Sequence, residues 1–230
     1  MIYYAIGDVH GEKAKLDDLL VQIAQDAGDR THTIVFLGDL IDRGADSRGV
    51  VDAAMQLTRA GRALAIKGNH EELMLHAFER EETAGLYHWA NNGGDETIAS
   101  YEAVNGKKDH WREAIDPEHI KWLRALPSIH RDEPRGLVFV HGGIDPWRFP
   151  NESEEVRLWT RSPTFFRSDD WPDREEVRDI LVVHGHTPTE DFEPDWRRRR
   201  INVDTGACYG GPLTSVVLAP DQAPRFLRAS

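Results

Sequence analysis

Short apolar runs alternate with amphipathic stretches along the first third of the chain. Ile2 to Ile6, Thr33 to Leu37 and Ala63 to Ile66 each have the length of one buried strand. Between them, Glu12 to Ala27 carries Leu16, Leu19, Leu20 and Ile23 at helical spacing. Ser47 to Ala60 repeats that pattern, with Ser47 as the expected N-cap and Gly61 as the expected stop. This order predicts two successive βαβ units sharing a parallel sheet. A further helix is expected over His70 to Arg80, with Leu73, Met74 and Ala77 facing inward.

The region from Glu81 to about Leu126 holds no strong strand and reads as a mostly helical insertion over the site. Beyond it the character changes to short strands: Ser128 to Arg131, Gly136 to Val140, Ile180 to Val183, Arg200 to Val203 and Leu213 to Leu218. Helical units first and strands later predict an α/β fold, a two-sheet β-sandwich flanked by helices. Neither an internal repeat nor a linker interrupts residues 1–230, so one domain is expected.

Each of the first three strands runs into a glycine-flanked polar set. These are Gly7-Asp8-Val9-His10-Gly11, Gly38-Asp39-Leu40-Ile41-Asp42-Arg43-Gly44 and Lys67-Gly68-Asn69-His70-Glu71. Later strands end in His141-Gly142-Gly143 and His184-Gly185-His186-Thr187-Pro188, with Leu158-Trp159-Thr160-Arg161 between them. Recurrence at strand ends points to one site at the carboxyl edge of a parallel sheet. Asp8, His10, Asp39, Asn69, His141 and His186 offer oxygen and imidazole donors without a thiolate, which suits two first-row divalent cations. Manganese is the expected pair, with iron and zinc as alternatives.

Composition narrows the setting. There are 28 basic against 40 acidic residues, a net charge of −12, which argues against general nucleic-acid binding. A lone cysteine, Cys208, and the lack of a signal segment or a bilayer-length apolar run lead to an expectation of a cytoplasmic protein without a membrane partner. The one basic run, Trp196-Arg197-Arg198-Arg199-Arg200, reads as solvated hairpin charge, and Cys208 as small packing.

The ordered set Gly-Asp-Val-His-Gly, Gly-Asp-Leu-Ile-Asp-Arg-Gly, Gly-Asn-His-Glu, His-Gly-Gly and Gly-His-Thr resembles the phosphoprotein phosphatase family of calcineurin-like metallophosphoesterases. Asn92-Gly93-Gly94-Asp95 and Asp204 to Gly211 look like its bacterial branch of protein phosphatases and symmetrical diadenosine tetraphosphatases. The resemblance implies that Asp8 and His10 hold one metal, that Asp39 bridges, and that Asn69, His141 and His186 hold the other. It implies phosphate binding by Arg43, Arg161 and Asn69, a His70–Asp42 acid dyad, and attack by a hydroxide shared between the ions. The family pattern selects His186, directly before Thr187-Pro188, over His184.

The leading expectation is hydrolysis of phosphoserine and phosphothreonine, with phosphotyrosine as a further substrate, in phosphoproteins or phosphorylated small molecules. The alternative is a symmetrical dinucleoside tetraphosphate hydrolase. Asp42 is the discriminating residue, because an alkoxide leaving group needs a proton and an already acidic nucleotide needs it less. A third reading is a binding module that keeps the fold without catalysis. Asn92 to Asp95 is read either as a helix cap or as a substrate contact.

Overall fold

The computed structural model describes residues 1–79 and 83–230. Arg80, Glu81 and Glu82, on which the expected end of the third helix and the start of the helical stretch fall, lie outside the described residues. Strands β1 (Ile2–Ile6), β2 (His32–Phe36) and β3 (Ala63–Ala65) alternate with helices α1 (Lys13–Ala27), α2 (Ser47–Arg59) and α3 (Asn69–Glu79). Helices α4 (Thr83–Trp89), α5 (Asp95–Asn105) and α6 (Pro117–Arg124) follow, α4 and α5 being joined by a π-helical turn over Ala90–Gly94. The rest of the chain supplies β4 (Ile129–Asp132), β5 (Leu137–Val140), α7 (Glu154–Trp159), β6 (Leu181–His184), β7 (Asp195–Arg197), β8 (Arg200–Asn202), β9 (Leu213–Leu218) and β10 (Arg225–Ala229).

These strands form two mixed sheets, ordered β10-β9-β1-β2-β3 and β4-β5-β6-β8-β7. Within them β1, β2 and β3 are mutually parallel, as are β5, β6 and β8. Period-two alternation in β1 sorts the layers. Ile2, Tyr4 and Ile6 pack under α1, α2 and α3, with Leu16, Leu19, Val50 and Met74. Tyr3 and Ala5 point the other way and meet Phe139, Val183 and Ile201 of the second sheet. The outer face of the second sheet is covered by Phe149, Phe165 and Trp171 against Val138, Val140 and Val182. Helix, sheet, sheet and covering loop are thus stacked, and the expected two-sheet sandwich is present.

Two local expectations are corrected, and two strands are added. The N-cap of α2 is Asp46, whose Oδ1 accepts Gly49 N–H at 2.8 Å. Ser47 is turned inward instead, and its hydroxyl accepts Asp42 N–H at 3.0 Å. Strands β7 and β10, which carry no clear alternation, form because β8 and β9 offer them open antiparallel edges. Finally, the basic run does make a hairpin, but Arg199 and Arg200 are 8% and 4% exposed and are not solvated.

Candidate metal centre

The polar residues converge because both parallel strand sets end on one side. Asp8 and His10 follow β1, Asp39 follows β2, Asn69 and His70 open α3 after β3, and His141 and His186 follow β5 and β6. The turns that carry them are strained. His10, Asp39, Asp42, Arg43 and His186 have φ of 45°, 49°, 75°, 69° and 70°, a left-handed conformation costing side-chain-bearing residues about 1–2 kcal/mol each.

Backbone hydrogen bonds hold these turns: Asp39 O accepts from Val9 N and His10 N at 3.0 and 2.9 Å, and His10 O accepts from Gly44 N at 2.9 Å. Buried Glu71 adds a clamp, accepting N–H from Asp39, Leu40 and Gly68 at 2.9, 2.8 and 2.7 Å. Packing is close enough that a Cβ on Gly185 would fall 2.0 Å from Asp8 Oδ1.

Two groups of side chains each place three potential ligand atoms within 4.8 Å of one another: His10, Asp39 and His70, and Asp39, His141 and His186. Asp39 belongs to both, the place a bridging ligand would take. The surroundings of these groups call for cations. Leu37 O takes the Nδ1 proton of His141 at 2.9 Å, so its Nε2 faces Asn69 Oδ1 at 2.8 Å and Asp39 Oδ1 at 3.3 Å. His186 Nδ1 lies 2.8 Å from the same Asn69 Oδ1.

Burial depresses His141, but the charge of Asp39 and its hydrogen bond outweigh it and lift the imidazole to about 10. Burial, then Asp204 and Asp39, push the Asp8 carboxyl well above its ordinary range. Asp39 is raised by burial but held well below that range by His141 and His70. His10 and His186 are driven down to about 3, chiefly by burial, and stay neutral. Buried carboxylates that repel one another, beside the neutral imidazoles of His10 and His186, suit divalent cations, so the donor set fits a dinuclear centre.

Asp8, expected beside His10, accepts the His186 N–H with both oxygens at 3.1 and 3.0 Å. His70 Nδ1 donates to Asp42 Oδ2 at 2.7 Å. Burial lowers the pKa of His70, yet the Asp39 charge and the Asp42 hydrogen bond raise it above the ordinary imidazole value. Arg43 Nη1 and Nη2 donate to His10 Nε2 and His70 Nε2 at 2.8 and 2.9 Å. Arg161 Nε donates to His186 Nε2 at 3.2 Å, whereas the nearby arginines Arg148 and Arg157 pair with Asp145 and Glu152. His184 points away from these groups, packing between Phe165 and Phe166.

Residues 1–212 match the calcineurin-like phosphoesterase family over most of the chain. This protein belongs to that family. Five residues that pack into this polar cluster were not among the site residues expected from the sequence. Trp89 Nε1 and Thr97 Oγ1 donate to Asp42 at 2.9 and 2.6 Å, bringing the helical stretch onto the site. Glu71 is visible in the Gly-Asn-His-Glu motif only as a charge, and its clamp is a three-dimensional fact. Asp204 is raised to about 6, first by burial and with Asp39 nearby, and it presses on Asp8. Tyr209 lies under Arg43, whose Cζ is 5.3 Å from its ring centroid. Asn92 lines the same pocket, on the substrate side of its two readings. Cys208 is half-buried, and burial pushes its thiol up to about 11, unsuited to a nucleophile.

The chain is 28% identical to an asymmetrical bis(5'-nucleosyl)-tetraphosphatase PrpE of Anoxybacillus flavithermus, covering 94% of this chain and 90% of that one. The PrpE of Bacillus mycoides is 27% identical, with coverage of 94% and 90%. A metallophosphoesterase structure from Sphaerobacter thermophilus superposes with a TM-score of 0.61 at 21% identity, covering 100% of this chain and 89% of that one. The serine/threonine protein phosphatase expectation is therefore corrected, because the relatives are named for dinucleotide hydrolysis. Asp42 misled as a discriminator for a physical reason: besides His70 it accepts Trp89 and Thr97, so it anchors the helical stretch whatever the leaving group needs. Among the described residues, no helix is long and apolar enough to cross a membrane.

Proposed function

We propose that this phosphoesterase hydrolyses bis(5'-nucleosyl) tetraphosphates asymmetrically, to a nucleoside triphosphate and a nucleoside monophosphate. Similarity to the PrpE proteins over nearly the whole chain supports the reaction class. The observation that carries the reading is one polar pocket of about 250 Å³ lined by Arg43, Arg161, His70, Asn92, Trp159 and Tyr209. Two guanidiniums suit a polyphosphate, and two aromatic rings, 36% and 55% exposed, suit planar bases.

Asp8, His10, Asp39, Asn69, His141 and His186 would hold two divalent cations, with manganese, iron and zinc each compatible with the donors. When bound, such cations polarise phosphoryl oxygens and lower the pKa of water. Arg43 and Arg161 bind and orient the phosphoryl oxygens and spread the charge that develops on them. Asp42 holds the His70 ring by its Nδ1 proton, and Nε2 faces Arg43 Nη2 at 2.9 Å; with Arg43 drawn onto the phosphoryl oxygens, that Nε2 is released to hold a proton at the departing oxygen. A nucleotide leaves as a stabilised phosphate anion and makes a weaker demand on that proton than an alkoxide does.

Chromatography of the products from diadenosine tetraphosphate, with manganese, iron or zinc supplied in turn, tests the reading. Equal amounts of ATP and AMP are expected. ADP as the sole product would reverse the regiochemistry, and hydrolysis of a phosphothreonine peptide with an inert dinucleotide would overturn the substrate class. Arg161→Ala should lower kcat/KM on the dinucleotide by roughly 10²–10³.

A further inference from the structure

The basic hairpin leaves something unexplained. Its turn residues Arg198 and Arg199 and the ring of Trp196 line a groove of about 350 Å³ floored by Ile180, Leu181 and Pro224. The groove lies at the amino-terminal end of β6, opposite the strand end that leads to His186. The four residues of β6 put roughly 13 Å, at ~3.3 Å each, between the two ends.

Arg199 is 8% exposed, yet its Nε has no hydrogen-bond partner among the described residues and its Nη1 has only Trp171 O at 3.5 Å. Its neighbour Arg200 also leaves Nη1 without a partner among the described residues, but its charge is met by Asp195 Oδ2 at 2.6 Å and its Nε by Phe166 O at 3.0 Å. A guanidinium buried without a counter-charge is among the most expensive groups a fold can carry. An anion in the groove, which Arg199 lines, would set negative charge beside that guanidinium. Beside it, Trp196 is 48% exposed, a large planar surface at the same groove. Arg178, on the rim, already pairs with Asp173 at 2.6 Å, and Asp179 in the wall offers an acceptor for an amino group.

We propose that this groove is a nucleotide-binding site separate from the metal centre, with the phosphate on Arg198 and Arg199 and the base stacked on Trp196. A single nucleotide matches it better than a nucleic-acid strand. The surrounding chain, at a net charge of −12, repels an extended polyanion, and at this groove Arg178 is already paired with Asp173, which leaves Arg198 and Arg199 of one turn to meet phosphate.

Calorimetric titration of AMP into the metal-loaded full chain tests this, with adenosine and inorganic phosphate as separate arms. Arg161→Ala, which alters only the metal-centre pocket, should retain one AMP site, with adenosine and phosphate each binding more weakly than AMP. Arg198→Ala and Trp196→Ala, both exposed and safe for the fold, should weaken that site roughly tenfold while leaving dinucleotide turnover unchanged. Arg199→Met should raise Tm without ligand, by removing the unpaired charge, and abolish the AMP-dependent rise in Tm. The proposal is overturned if Arg161→Ala removes all AMP binding, or if Arg198→Ala and Trp196→Ala bind AMP as the native chain does. It is also overturned if a single-stranded oligonucleotide binds where AMP does not.

Discussion

The indole Nε1 of Trp89 donates to Asp42 Oδ2 at 2.9 Å, although neither side chain touches solvent. That bond joins the end of α4 to the loop after β2, and through Asp42 to the His70 ring. Trp89→Phe keeps the bulk and removes the donor. A loss of about 1–3 kcal/mol in urea unfolding is expected, together with a lower kcat. Unchanged unfolding would show that the indole proton is not part of the connection.

Glu71 presents its carboxylate to three backbone N–H groups and so ties Gly68 to Asp39 and Leu40. Glu71→Gln turns an amide NH₂ toward donors that need acceptors. The expected result is a loss of about 2–3 kcal/mol, with kcat reduced on every phosphoester tried. A variant as stable as the native chain would contradict the clamp.

Tyr209 sits at the pocket rim, fixed by Tyr209 N–H on Gly206 O at 2.8 Å and by Lys15 Nζ on Ala207 O and Gly211 O at 2.9 and 2.7 Å. A ring held this way supplies binding surface to ground state and transition state alike. Tyr209→Leu should therefore raise KM for a dinucleotide several-fold and leave kcat nearly unchanged. Steady-state kinetics decide it, and a fall in kcat at constant KM would assign the ring to the chemical step.

Away from the site, Asp26 accepts from Tyr4 Oη and Arg225 Nη2, both at 2.5 Å. The Arg225 hydrogen bond, outweighing burial and aided by Tyr4, holds its carboxyl below the ordinary value of 3.8. A depressed carboxylate stabilises the fold above the unfolded-chain pKa and ceases to do so as pH falls through the folded one. Asp26→Asn should thus be less stable than the native chain at pH 6 to 8, and the gap should close below about pH 4. Denaturant titrations of both chains at several pH values measure it.

Much of this was legible in the sequence. The apolar runs before Gly7, Gly38 and His141 became β1, β2 and β5 because a strand buried on both faces leaves an uninterrupted hydrophobic signature. The recurring polar edges marked the residues that now lie together. The connections between edges were not legible. Trp89 reaches Asp42 across 47 positions, and no local spacing announces that bond. Arg199 and Arg200 read as solvated charge, since burial of a cation depends on which helices and loops cover the sheet. Asp42 kept its identity and lost its diagnostic value, because a residue with several partners can be retained for any of them.

Asp8 and His186 meet at 3.0 Å although 178 positions separate them in the chain. Closing so long a loop contributes nothing until β1 and β6 are both seated in their sheets. The cluster that the proposed function places at the centre of the chemistry is thus complete only when both sheets are. A fragment, a nascent chain or a partly unravelled molecule can own every side chain of that cluster and still lack the cluster itself.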